Sequence, residues 1–258
     1  MTGNAVVRQR GRVPVGALLL AFGVVGSLNA QSLAQRAQVR DGKVRLSYAT
    51  RPEVCGSGRN IHITRATDDW EGDCDHGPAR VVLTWHDGKL MDVDTYVGGR
   101  WRPAGPEVTD LGMVSAPEAA AFFLDLASQV AGGAGNNVIF PATIADSVEI
   151  WPKLIALARA KDTPRQVKKN AIFWLGQAAG DRAVRDLGGL ATDENEDVEI
   201  QKQAVFALSQ LRDGKGVPSL LEIARTHPDP RVRKNAMFWL SQSNDPRAVA
   251  LFEEILKK

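Results

Sequence analysis

The octet NAIFWLGQ at 170–177 returns as QAVFALSQ at 203–210 and as NAMFWLSQ at 235–242. Ala171, Ala204 and Ala236 stand 33 and 32 residues apart, a period that signals stacked helical units. Each octet belongs to a longer unit that Gly, Asp or Pro interrupts near its middle, at Gly180–Asp181, Asp213–Gly214 and Asp245–Pro246. Each unit therefore reads as two short helices, the second starting near Ala183, Val217 or Ala248. The first helix carries Val167, Ala171, Ile172, Phe173, Trp174 and Leu175, an apolar sector too wide for a single buried stripe. Such a helix becomes soluble within a stack, where its own second helix covers one flank and neighbouring units cover the others. The repetition thus predicts a solenoid whose copies bury one another.

The order is fullest at DPRVRKNAMFWLSQSNDPRAVALFEEIL, residues 229–256: an acidic turn, a Val–Arg pair, an Ala, a Leu-small-Gln run and a second helix. In this order the chain resembles the HEAT repeats, and more closely their phycobilisome-lyase-type subtype, over about residues 150–258. The Arg that follows the Val in that family stands at Arg233, while the other copies have Lys168 and Gln201. The resemblance implies a helical scaffold that presents an extended face to a protein or peptide partner. Relatives of the subtype attach or detach bilins, and other HEAT-like stacks excise damaged DNA bases, so a lyase-like enzyme is an alternative that the resemblance carries with it. Upstream, SAPE at 115–118 has the capping-box order and opens an apolar helical run. The solenoid is expected to span 115–258, with hairpins at about 138–161, 164–191, 198–226 and 230–258.

Between Gly42 and Arg102 the period changes to alternation, in VRLSY from Val44, IHITR from Ile61, RVVLTW from Arg80 and LMDVDTYV from Leu90. Asp87-Gly88 between the last two runs is a hairpin signal, because a type I′ turn needs positive φ at both central residues. A small β domain at 42–102 is expected, flanked by linkers at 31–41 and 103–114. The fold class is α+β: a HEAT-like α-solenoid preceded by a small β domain stapled by a disulfide between Cys55 and Cys74. Closing about 20 residues would stabilise so small a sheet by roughly 3 kcal/mol in the chain-entropy account. Asp73, Cys74, Asp75 and His76, with Cys55, His62 and His86, offer soft ligands that suit zinc, but no CxxC or HExxH spacing supports a site. The histidines also lack a neighbouring nucleophile motif. No metal, cofactor or catalytic residue is assigned.

Residues 1–30 follow a different rule. Arg8, Arg10 and Arg12 precede the uncharged VPVGALLLAFGVVGSLNA, the order of a secretory signal, with cleavage expected after Ala30 or Ala34. The whole chain carries a formal charge of +2, and removing this leader leaves 29 basic against 30 acidic residues, a charge of −1. Near neutrality there is little general attraction for nucleic acid or anionic membrane. The expected address is exported, periplasmic or secreted, which suits a disulfide.

These readings favour a noncatalytic scaffold or adaptor for a protein or peptide partner, with no nucleic acid and no membrane contact once the leader is removed. The alternative is an envelope module that binds a ligand such as a glycan through its β segment. Candidate partner-binding residues are Arg185, Asp186, Glu222, Arg225, Glu253 and Glu254 on the second helices. Lys168, Lys169, Lys202, Arg233 and Lys234 form a secondary row at the start of the first helices, expected to be solvated. The aromatic stripe of Phe173, Trp174, Phe206, Phe238 and Trp239 is read as core, and Gln177, Gln210 and Gln242 as amides that satisfy backbone groups at the hairpin turns. Ala207 replaces Trp174 and Trp239 in the middle copy, a small residue that would let its neighbours pack.

Overall fold

The computed structural model describes residues 31–63, 74–130, 134, 137–177 and 181–257. The leader expected at 1–30, and Asp73, lie outside them. Four strands form the principal sheet: β1 (Gly42–Tyr48), β4 (Ala79–His86), β5 (Lys89–Val97) and β6 (Val108–Met113), in the order β5-β4-β1-β6. β4 and β5 are joined through Asp87 and Gly88, at φ of 50° and 71°, as the sequence requires of that turn. Alternation decides the faces. Ala79, Val81, Leu83 and Trp85 of β4 are buried, whereas Arg80, Val82 and Thr84 between them are half-buried.

Val44, Leu46 and Tyr48 of β1 join the same buried face. The Tyr48 ring lies 6.2 Å from Phe123 of α2 (Ala116–Ala127). Its hydroxyl donates to the Pro141 carbonyl at 2.7 Å, and burial raises its pKa well above the usual phenol value, so it remains a neutral donor. Helix α2 begins where its sequence predicts, with Ser115 Oγ accepting from the Glu118 N–H. On the opposite face Arg45, with a side chain only 11% exposed, donates to Asp110 at 2.6 and 2.9 Å and to the Arg102 carbonyl at 2.7 Å. Its guanidinium also sits 4.7 Å from the Trp101 ring centroid, so residues 98–107 are strapped across this face. The guanidinium bonds are the main reason that the Asp110 carboxyl is held below the usual carboxylate range.

A second, two-stranded sheet pairs β2 (Val54–Ser57) with β3 (Asn60–Ile63). It is fixed to the rest by a Cys55–Cys74 disulfide, as expected, and by Gly58, which exchanges two main-chain hydrogen bonds of 3.0 Å with Val97 of β5.

The helical part consists of α3 (Phe140–Thr143), α4 (Trp151–Arg159), α5 (Arg165–Gln177), α6 (Asp181–Ala191), α7 (Val198–Ser209), α8 (Val217–Thr226), α9 (Pro230–Ser241) and α10 (Pro246–Leu256). Asp197, Asp229 and Asp245 cap the N-termini of α7, α9 and α10 with their carboxylates. Val167, Ala171, Ile172 and Leu175 of α5 are buried, as are their equivalents Ile200, Ala204, Val205 and Leu208 of α7 and Val232, Ala236 and Leu240 of α9. The first helices pack directly on one another, α5 on α7 on α9, and the second helices α4, α6 and α8 pack chiefly against the first helix of the following unit, while the last, α10, packs on α8 and α9. Copies therefore bury copies, as the repetition demands.

Three stretches differ from the sequence reading. The expected linker 103–114 contains β6, which pairs parallel with β1 across a register shift between Arg45 and Ser47. The expected linker 31–41 contains α1 (Leu33–Ala37), capped by Ser32 and anchored by buried Leu33 and Ala37. The first expected hairpin, 138–161, has a single turn, α3, in place of its first helix. Elements of four to six residues, two of them with a Gly or a Pro inside, are too short to leave a periodic signal, and burial against the rest of the fold stabilises them. Sheet and helices consequently close into one compact unit spanning residues 31–258 rather than two separate bodies.

Candidate functional site

The face made by the first helices carries the aromatic residues of the repeated octet. Ile172 and Leu175 point into the stack, so Phe173 and Trp174 between them turn toward its edge and remain half-buried. Trp174 stacks on Phe140 of α3 with centroids 5.6 Å apart and meets Phe173 edge-on at 5.1 Å. One unit along, Phe206 of α7 lies 4.8 Å from Trp239 of α9, which meets Phe238 edge-on at 5.0 Å. Phe238 is 52% exposed. The stripe read as core is thus buried along its inner edge alone, and its outer edge forms an aromatic row open to solvent.

Ala207 explains how the row is interrupted. It is 1% exposed, and a Cβ placed on Gly176 of α5 would lie 3.0 Å from both the Ala207 Cβ and the Ala207 carbonyl oxygen. At this residue α5 and α7 approach closely, Gly176 against Ala207.

At its upstream end the aromatic row runs into the edge of the sheet. A hollow of about 450 Å³ opens there between Phe140, Phe173 and Trp174 on the helical side and Arg59, Asp94 and Thr95 on the strand side. A second hollow of about 270 Å³, reaching Arg51, Trp151 and Gln177, shares Trp174 as its wall. Arg59 is 2.7 Å from Asp94 and lies over the Tyr96 ring at 5.4 Å. Its hydrogen bond to the Tyr96 hydroxyl, followed by the Asp94 charge, raises its pKa, so the strand side presents a guanidinium paired with the Asp94 carboxyl group. None of the strand-side residues carries a repeat or motif. Trp174 was legible from the octet, but its partners meet it through the tertiary fold alone.

The charged residues singled out on the second helices tie units together. Asp186 of α6 lies 3.8 Å from Arg159 of α4, and Arg225 of α8 lies 3.4 Å from Glu254 of α10. Glu253 of α10 is 3.9 Å from Lys257, the residue that follows that helix, and Arg185 and Glu222 are exposed on α6 and α8. The structure therefore strings these residues along the stack and gathers no polar cluster from them.

The basic row departs further from its expected solvated role. Lys168 is buried and donates to both carboxylate oxygens of Glu196 at 3.1 and 3.2 Å. Gln201, at the same repeat position, is 3% exposed and donates to the Asp193 carbonyl at 2.7 Å. Arg233 donates to the carbonyls of His227 and Pro228 at 2.6 and 3.0 Å. This position binds a helix start to an inter-unit turn, and three different side chains serve it. Lys169 and Lys202 are half-buried, with Lys202 bonded to Glu199, and Lys234 is exposed.

Gln177, Gln210 and Gln242 are exposed, and the amides of Gln210 and Gln242 donate to the hydroxyls of Ser209 and Ser241 rather than to turn carbonyls. Cys55 and Cys74 are spent on each other. Among the described residues no group of three or more His, Cys, Asp or Glu converges in a way that would hold a metal ion, and no helix is long and apolar enough to cross a membrane.

Residues 194–258 match the HEAT repeats family. That stretch begins in the turn before α7 and contains the last two helical hairpins. No curated protein matches the chain.

Proposed function

We propose that this chain is an exported, noncatalytic adaptor that holds a protein or peptide partner against its HEAT-type helical stack. The half-exposed aromatic row carries this reading: Trp174, Phe206, Trp239 and Phe238 offer rigid apolar area along consecutive first helices, at little entropic cost to bind. What supports the noncatalytic reading is the use made of the charged groups. Asp186, Arg225, Glu254 and Lys168 join helix to helix or helix to turn, and no proton-transfer pair forms among them. Export is supported by the disulfide and by the basic-then-apolar order of residues 1–30. We also assign the repeats to the phycobilisome-lyase-type subtype, on the acidic turn, Val–Arg pair and Leu-small-Gln order of 229–256.

Crosslinked affinity capture from the exported fraction, with the wild type and a Phe206→Ser/Phe238→Ser variant side by side, tests the function. A discrete partner captured by the wild type and lost by a variant of unchanged circular dichroism is the expected result. A partner retained by that variant removes the aromatic row from the interface. Release or attachment of a bilin, followed by absorbance on incubation with a bilin-bearing phycobiliprotein, would overturn the noncatalytic assignment.

A further inference from the structure

The hollow bounded by Trp174 also opens on the edge strand of the principal sheet. β5 pairs with β4 on one side, and the register from Ala79↔Val97 to Thr84↔Asp92 runs without a shift. Val97 sends both its main-chain groups away from β4, because its N–H donates to the Gly58 carbonyl and its carbonyl accepts from the Gly58 N–H. Hydrogen-bonding direction alternates along an antiparallel strand, so the N–H and C=O of Thr95, two residues back, face outward in the same way. Among the described residues nothing bonds to them. Val93, two residues further back, faces outward too, and its N–H is taken up by the carboxylate of Asp92 at 2.8 Å. Thr95 is therefore an open donor–acceptor pair between Val97, bonded through both main-chain groups, and Val93, whose N–H is taken, and it forms part of the hollow's wall.

We propose that this hollow receives an extended segment of the partner protein, which adds to β5 as one further strand by pairing with Thr95. The proposal rests on the protein-partner reading above and names the contact it uses. The chemistry favours a peptide over a saccharide. A peptide residue in extended form presents one N–H and one C=O on the same side, the complement of Thr95, and sends alternate side chains to opposite faces. One face meets Phe140, Phe173 and Trp174, and so takes an apolar or aromatic side chain. The other faces Arg59 and Asp94, whose charges are paired 2.7 Å apart, and so takes an uncharged polar one.

Selection of a displayed library of random linear peptides on the full chain supplies the probes, and the enriched peptides are titrated by fluorescence anisotropy. Expected are sequences with an apolar residue at alternate positions. N-methylation of their backbone should weaken binding at least about tenfold at the one residue whose N–H meets the Thr95 carbonyl and leave the neighbouring positions tolerant. Thr95→Pro removes the outward N–H without touching the ladder to β4, a change that edge strands accept; it should weaken binding by a similar factor, as should Trp174→Ala. The N-methyl scan uses unaltered protein, so it decides the matter even if a variant folds poorly. Failure to enrich any peptide, binders indifferent to N-methylation and to Thr95→Pro, or binding of a neutral oligosaccharide array in place of peptides, each overturns strand addition. None of these outcomes alters capture through Phe206 and Phe238, so the failure of one reading is separable from that of the other.

Discussion

Gly176 and Ala207 show how a single volume sets the spacing of the stack. A Cβ on Gly176 would be 3.0 Å from the Ala207 carbonyl oxygen, and a carbonyl inside a helix cannot step aside without carrying the helix with it. Ala207→Trp should therefore overpack the α5–α7 contact and destabilise the fold by about 1 to 3 kcal/mol, read as a lowered denaturation midpoint at unchanged m-value. Trp174→Ala and Trp239→Ala should cost less than the about 3 to 5 kcal/mol expected of a fully buried indole, because both rings are half-buried. A wild-type midpoint for Ala207→Trp would show that this contact has slack that the structure does not. Ala207 was legible in sequence as the odd member of an aromatic series; its close approach to Gly176 was not, because the octets alone do not reveal how closely two backbones approach.

The helix caps respond to pH as elements. Asp229 accepts from the Arg231 N–H at 2.7 Å while the Arg231 guanidinium grips its carboxylate, and Asp245 and Arg247 repeat the arrangement. The guanidinium bond first, and the backbone bond second, lower both carboxyls to about 2. A carboxyl held lower when folded than when unfolded contributes stability that is complete above the unfolded value of about 3.9 and is lost as pH falls toward about 2. Melting temperature should fall across that window. Asp229→Asn/Asp245→Asn, which keeps a capping acceptor but not the charge, should melt lower than the wild type at neutral pH and converge on it near pH 2; parallel curves would remove the caps from the acid response. At this scale most of the structure was readable. The α5, α7 and α9 helices follow from the octets, α2 from Ser115, and the β4–β5 turn from Asp87-Gly88. β6 was not, since VTDLGM has no clean alternation, bears Gly112 at φ of 67°, and finds its parallel partner far away in sequence. The junction hollow was missed for the same reason: Thr95 and Trp174 are neighbours through the fold and through nothing local.

For the molecule as a whole, the sheet and the helices share a core. Tyr48 of β1 contacts Phe123 of α2 and bonds to Pro141 of α3, so neither part can open without exposing the other. Calorimetry should show one transition with equal calorimetric and van't Hoff enthalpies; two resolved transitions would mean that sheet and repeats unfold independently.

The same wiring constrains the order in which a growing chain can mature. α5 to α10 need only their neighbours, whereas Arg45 waits 65 residues for Asp110 and Tyr48 waits 93 for Pro141, and the loop entropy of both closures must be met before either bond rewards it. A polypeptide emerging from its N-terminus thus carries an unfinished sheet edge until Met113 appears and a buried phenol without its acceptor until Pro141 does. Both closures can be made once Pro141 has emerged, before Arg165 opens the first repeat helix, so the repeats stack onto a base that is already closed.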